Sequence, residues 1–226
     1  MVQKNPLDHR SNIDGLRAIA VLVIVLFHSK ISIFESDWFA GGFVGVDIFF
    51  VISGYLITRI ILVELFETGS FSFLKFYERR ARRILPMLFT VMLVTFPFAW
   101  RYLLPVSFVE YSKSILSAVF FSSNFFFYHI TTKYGAESAL LKPFLHTWSL
   151  GIEEQFYIFF PILVVLLNKF FRRHLFVVCL SMFLLSLFFS HFMSSQNIGL
   201  NFYLPMSRFW ELLVGSMLAY IELKRA

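Results

Sequence analysis

Stretches of about twenty apolar residues recur along this chain with short clusters of lysine and arginine between them, and few folds suit such a pattern. A run of that length, as a helix, crosses a hydrocarbon layer about 30 Å thick. Lipid offers no hydrogen-bond partner to an open backbone, so each crossing must be helical. Six runs qualify, over residues 15–31, 42–65, 84–104, 148–168, 175–193 and 207–221. Pro97 and Pro161 fall inside the third and fourth and are expected to kink them.

Composition supports this reading. Of 226 residues, 58% are apolar and only 15% charged, with 32 Phe and a mean hydropathy of +0.72, too little polar surface to cover a soluble core. The net charge of +6 does not indicate nucleic acid, because the cations sit between apolar runs instead of forming a stripe with interleaved aromatics. Cys179 is the single cysteine and lies in an apolar run, which rules out a disulfide framework and a cysteine-based metal site. Lys4, Arg10 and Arg17 ahead of an apolar run, with Phe39-Ala40-Gly41 after it, outline a signal peptide. Arg17 and His28 inside that run, and further apolar runs directly after it, fit an uncleaved first span better.

Lysine and arginine set the expected orientation. Lys75, Arg79, Arg80, Arg82 and Arg83 fall between the second and third runs, Lys169, Arg172 and Arg173 between the fourth and fifth, and Lys224 and Arg225 after the sixth. Positive loops stay cytoplasmic, which places these clusters and the N-terminus on that side. Residues 115–128 are also apolar but short for a crossing, and counting them would move Arg172 and Arg173 outside. A re-entrant or outer-interfacial helix within a connection over residues 105–146 is expected there. Trp38, Trp100, Trp148 and Trp210 fall near the expected outer boundaries, as interfacial anchors do. The fold class is thus an all-α polytopic transmembrane helix bundle of about six spans plus that one helix. Residues 1–226 read as a single membrane domain without a soluble domain. With only five residues after the sixth run, the chain is expected to be truncated at its C-terminus and to form an incomplete version of a larger bundle.

Charges inside spans are costly, roughly 2.5–3.5 kcal/mol each on insertion scales, and tend to face a protein interior where they act. Arg17 and His28 are eleven residues apart, about 16.5 Å of helical rise and within roughly 20° of three full turns, so they share a face. A permanently charged guanidinium suits phosphate, and an imidazole suits proton transfer near neutral pH. A boundary arginine with a bundle histidine would give the same pair. Arg80 and Arg83 stand at i,i+3 on one face and could grip a multiply charged phosphate, although positive-inside sorting also produces such clusters.

Asp47 interrupts the second run at an expected depth close to that of His28, where it could orient the imidazole. Gly42, Gly45 and Gly54 in the same region permit close helix approach. At the start of the fourth run, Glu153 and Glu154 point about 100° apart, and Glu153, with Tyr157 at i+4, is favoured as the buried carboxylate. His146 suits a solvated loop as well as a site. Arg208 and Glu211 form an ion-pair candidate of structural type.

These blocks resemble the N-terminal part of the acyltransferase-3 family, membrane O-acetylases of lipopolysaccharide, peptidoglycan and other glycans. The resemblance rests on Arg17 and His28 in an R-(x10)-H pattern, GVDIFFVISGYL over 45–56, RARRILP over 80–86, HTWSLGIEEQFY over 146–157 and RFWELLVG over 208–215. It implies transfer of an acyl group, usually acetyl, from cytoplasmic acetyl-CoA to a hydroxyl of a cell-envelope carbohydrate such as lipopolysaccharide, across a bacterial inner (plasma) membrane. Carried over by motif, Arg17, Arg80 and Arg83 would serve the coenzyme and His28 the transfer, with Asp47 or Glu153 orienting it. Acetyl-CoA would be a co-substrate; no permanently bound cofactor and no metal is implied. The implied partners are acetyl-CoA, the glycan or lipid-linked acceptor and the bilayer, with no nucleic acid. Family members carry about ten membrane helices, so a separate polypeptide supplying the missing helices, or an inactive remnant, is the alternative. A proton-coupled transporter fits less well, because no inverted repeat is visible.

Overall fold

The computed structural model describes residues 11–29, 31–33, 36–37, 39–132 and 142–225. Lys4, Arg10 and Trp38 lie outside the described residues, as do residues 133–141 of the expected connection. Among the described residues the regular structure is helical apart from a short antiparallel pair, β1 (Ser32–Ile33) and β2 (Ser36–Asp37). The helices are α1 (Ser11–His28), α2 (Val44–Thr68), α3 (Phe73–Tyr102), α4 (Pro105–Val119), α5 (Ser123–Thr131), α6 (Thr147–Phe170), α7 (Leu175–Gln196), α8 (Ile198–Tyr203) and α9 (Pro205–Arg225).

Among the described residues, five helices are long and apolar enough to cross a membrane: α1, α2, α3, α6 and α7. The expected sixth span, α9, has 21 residues, but Arg208, Glu211 and Glu222 along it make it too polar for that class. The expectation over residues 115–128 is also corrected. One helix does not form there; the chain breaks between α4 and α5, where Phe121 takes φ 51° and Gln155 Nε2 donates to the Phe121 carbonyl at 2.7 Å. At 15 and 9 residues, about 22 and 14 Å of rise, neither piece spans the bilayer.

α3 starts at Phe73, well before the expected residue 84, capped by Ser72, whose Oγ accepts from the Lys75 N–H at 3.5 Å. The arginine cluster is therefore part of the helix and not a loop flanking it. Thirty residues give about 45 Å, more than a hydrocarbon core requires.

The helices form two compact units. The first contains Met1–Ser70, Phe160–Phe192 and Met206–Ala226. Its core lies along α2, where Phe50, Ile57, Ile61 and Leu62 are fully buried. Two glycines bring α2 and α9 into backbone contact: a Cβ on Gly54 would lie 1.8 Å from the Leu212 carbonyl oxygen, and one on Gly215 would lie 1.9 Å from that of Val51. Gly42 and Gly45 do the same against α1, meeting Val23 O at 2.5 Å and Ala20 O at 2.7 Å. The glycines singled out in sequence as packing residues are thus at helix seams, as close-approach packing requires. Ser186 of α7 donates to Met206 O at 2.6 Å and accepts from the Trp210 N–H at 2.9 Å, tying α7 to the start of α9.

The second unit contains Phe71–Phe159 and Met193–Pro205. Its interior is knit by polar side chains bonding to backbone. Ser123 Oγ donates to Thr147 O at 2.6 Å, Asn124 Nδ2 to Tyr203 O at 3.1 Å and Gln155 Nε2 to Asn124 Oδ1 at 2.9 Å. Trp148 is buried beneath Phe202, with ring centroids 4.4 Å apart, so it serves as a core residue and not the interfacial anchor expected. Trp100, at the end of α3, stays 71% exposed.

Candidate functional site

In the first unit Arg17 and His28 both lie on α1, as the spacing required; Arg17 is half-buried and His28 exposed. His28 Nδ1 bonds the Ile24 carbonyl at 2.9 Å. A carbonyl only accepts, so Nδ1 carries a proton; in the neutral ring Nε2 then holds the lone pair, the tautomer a general base needs.

Asp47 does not orient that ring here. Gly42 meets Val23 and Phe27 while Gly45 meets Ala20 and Ile24, so α1 and α2 run antiparallel and Asp47 lies level with Ala20. His28 stands eight residues further on, about 12 Å along the helix. Asp47 instead accepts from Arg208 Nη1 at 3.0 Å. The same guanidinium nitrogen reaches Glu211 Oε1 at 2.7 Å, one turn away, and Glu211 is fully buried. One cation between two carboxylates makes this a brace between α2 and α9, in which the Arg208–Glu211 pair seen in sequence takes a third member. Across-chain pairing over 161 residues has no local sequence signal.

A second polar cluster in this unit joins Tyr55, whose hydroxyl donates to Glu222, to Arg59, whose Nη1 is 3.3 Å from the Tyr55 hydroxyl and 3.8 Å from Glu222. Beside it opens a cavity of about 510 Å³ with mainly apolar walls, among them Leu16, Val51, Ile52 and Leu218. Arg17 and His28 do not line it.

In the second unit Arg80 is half-buried, its guanidinium 4.9 Å from the centre of the Tyr157 ring and 5.8 Å from that of Phe76. Arg83, one turn on, is exposed. Tyr77 fixes the contact between α3 and α6 by donating to the carbonyls of Tyr157 and Ile158, each at 3.3 Å. Pro161 has no N–H for the Tyr157 carbonyl four residues back, so Tyr77 supplies a donor that the helix itself lacks.

Arg80 rests on Tyr157, one turn from Glu153. One expectation is corrected at this point. The buried carboxylate is Glu154, 6% exposed, and not Glu153, which is half-buried and takes the Tyr157 hydroxyl at 3.5 Å. Facing directions 100° apart leave room for one buried glutamate, and helix neighbours that sequence does not show decide which. Glu154 makes no hydrogen bond or ion pair among the described residues, and its Oε1 is sealed from solvent. The charged neighbours acting on it are Glu153 and Arg80. His146 is exposed, its ring stacked on Phe144 at 6.2 Å. No group of three or more metal-ligating side chains occurs among the described residues.

A helical membrane protein with arginines, carboxylates and a histidine set into its spanning helices is the class these features define. The chain belongs to the acyltransferase-3 family: the family's acyltransferase domain matches residues 10–226. It is 36% identical over 215 residues to O-acetyltransferase OatA of Staphylococcus aureus strain NCTC 8325 / PS 47, covering 92% of this chain and 34% of that protein. OatA of strain COL matches to the same extent. A second protein of strain COL, which bears a provisional O-acetyltransferase name, is 41% identical over 155 residues, covering 69% of this chain and 24% of its own length. The chain spans about a third of the length of the OatA relatives it matches. No solved structure matches it.

Proposed function

We propose that this chain takes part in transferring an acyl group, acetyl in the first instance, from acyl-CoA to a hydroxyl of a cell-envelope carbohydrate such as lipopolysaccharide. The reading places it in a bacterial inner membrane with the N-terminus and the arginine clusters cytoplasmic and the acceptor outside. The observation that carries it is the similarity to proteins named O-acetyltransferases over 92% of the chain. In this reading Arg17, Arg80 and Arg83 hold the phosphates of the coenzyme, for which guanidinium forks are suited.

His28 acts on the acceptor. Its Nε2 lone pair, left free by the Nδ1 bond to Ile24, takes the hydroxyl proton as the oxygen attacks the thioester carbonyl. The C–S bond breaks as the C–O bond is retained, and the proton passes from the imidazolium to the leaving thiolate. Attack by Nε2 itself would give an acyl-histidine and ping-pong kinetics, whereas direct transfer requires one ternary complex. Asp47 serves the reaction through the brace with Arg208, and Glu153 through Tyr157.

The test is transfer of labelled acetyl from acetyl-CoA to isolated envelope glycan in membranes carrying the native chain or His28→Ala. Loss of transfer by at least about a hundredfold is expected, the usual range for a general base. Equal transfer in the two preparations would end the assignment of His28.

A further inference from the structure

Glu154 is a buried carboxylate beside α3 with no partner for its sealed Oε1 among the described residues. A carboxylate taken out of water costs several kcal/mol unless it is paired, and buried polar groups nearly always have a partner. Glu154 is 94% withdrawn from solvent by its 6% exposure, yet it has no hydrogen bond or ion pair among the described residues. Its neighbours do not relieve it. Glu153 carries the same charge, and Tyr77, the other titratable group facing it from α3, spends its hydroxyl on the Tyr157 and Ile158 carbonyls.

Arg80 is the cation within electrostatic reach, but no ion pair joins it to Glu154; its guanidinium lies on Tyr157 instead. A cation presented on an aromatic face and a carboxylate that keeps 6% exposure thus act on one another without an ion pair. The pair can accept one ligand that brings an anionic group to the arginine and an N–H or O–H donor to the carboxylate.

We infer that Glu154 and Arg80 together form a binding site for such a ligand, with Glu154 accepting a hydrogen bond from the donor end while Arg80 holds the anion. This rests on the acyl-CoA reading above and deepens it. Coenzyme A has both ends, phosphates at one and pantetheine amides and hydroxyl at the other. Glu153 is excluded from the role by its engagement with Tyr157.

The experiment titrates coenzyme A calorimetrically into the purified chain in lipid nanodiscs, native and as Glu154→Gln and Glu154→Ala, with thermal unfolding of each. Glu154→Ala is expected to weaken binding about tenfold or more, the loss of a hydrogen bond to a charged group, with Glu154→Gln intermediate. Glu154→Gln keeps the volume and decides the matter if Glu154→Ala does not fold. Native binding with unchanged affinity in the Glu154 variants, whatever their thermal stability, overturns the inference and leaves the acyl-CoA reading standing. Absence of coenzyme binding by the native chain overturns both.

Discussion

Arg208 and Arg80 are both half-buried arginines on long helices, and each has carboxylates nearby, but only one of them is closed off by its own protein. Arg208 spans Asp47 and Glu211 at 3.0 and 2.7 Å, with all three groups drawn from the α2–α9 seam. Arg80 rests on an aromatic ring, and the glutamate close to it remains unpaired. The first arrangement consumes its charge in holding helices together. The second leaves a cation and an acceptor available. Sequence motifs mark both arginines equally, and what separates them is where each guanidinium ends, between two carboxylates for Arg208 and on an aromatic ring for Arg80.

The sharpest way to break this contrast is Arg208→Ala, which would strand two carboxylates, one of them fully buried. A loss of about 3–5 kcal/mol in unfolding free energy is expected, measured by thermal or denaturant unfolding in detergent. An effect below about 1 kcal/mol would mean that the brace carries little. Gly54→Ala tests the same seam without touching charge: its Cβ would fall 1.8 Å from Leu212 O, so α2 and α9 must part. About 3 kcal/mol of destabilisation is expected, with no change in salt dependence. Arg80→Ala should cost stability only about 1 kcal/mol, the contribution of a guanidinium on an aromatic face. The smallest effect belongs to Arg82→Ala, whose pair with Glu78 at 2.7 Å is solvent-exposed; unfolding should shift by no more than about 0.5 kcal/mol.

The part of this that was readable in sequence follows from which forces are local. Apolar run length fixes a spanning helix by itself, and α1, α2, α6 and α7 lie close to the runs that announced them. Small residues signal close approach wherever they fall, so Gly45 and Gly54 were identifiable before their partners were known. The i,i+3 pair of Arg208 and Glu211 was visible for the same reason. Partner choice was not. Asp47 looked like a companion for His28 because both interrupt apolar runs, but antiparallel packing of α1 on α2 sets them at different levels and brings Arg208 to Asp47 from 161 residues away. The break at Phe121 carries no turn signal, since phenylalanine at positive φ is held there by a contact from Gln155 and not by its own preference. Choosing between Glu153 and Glu154 required knowing which side of α6 meets α3.

The most direct test of the open-site account is the affinity of the chain for coenzyme A with and without the Arg80 guanidinium, measured by titration in nanodiscs at fixed salt. The account predicts that Arg80→Ala weakens binding about tenfold or more while the protein keeps its fold, and that the loss is smaller at high ionic strength, where screening already weakens the native interaction. Unchanged affinity in Arg80→Ala would contradict it.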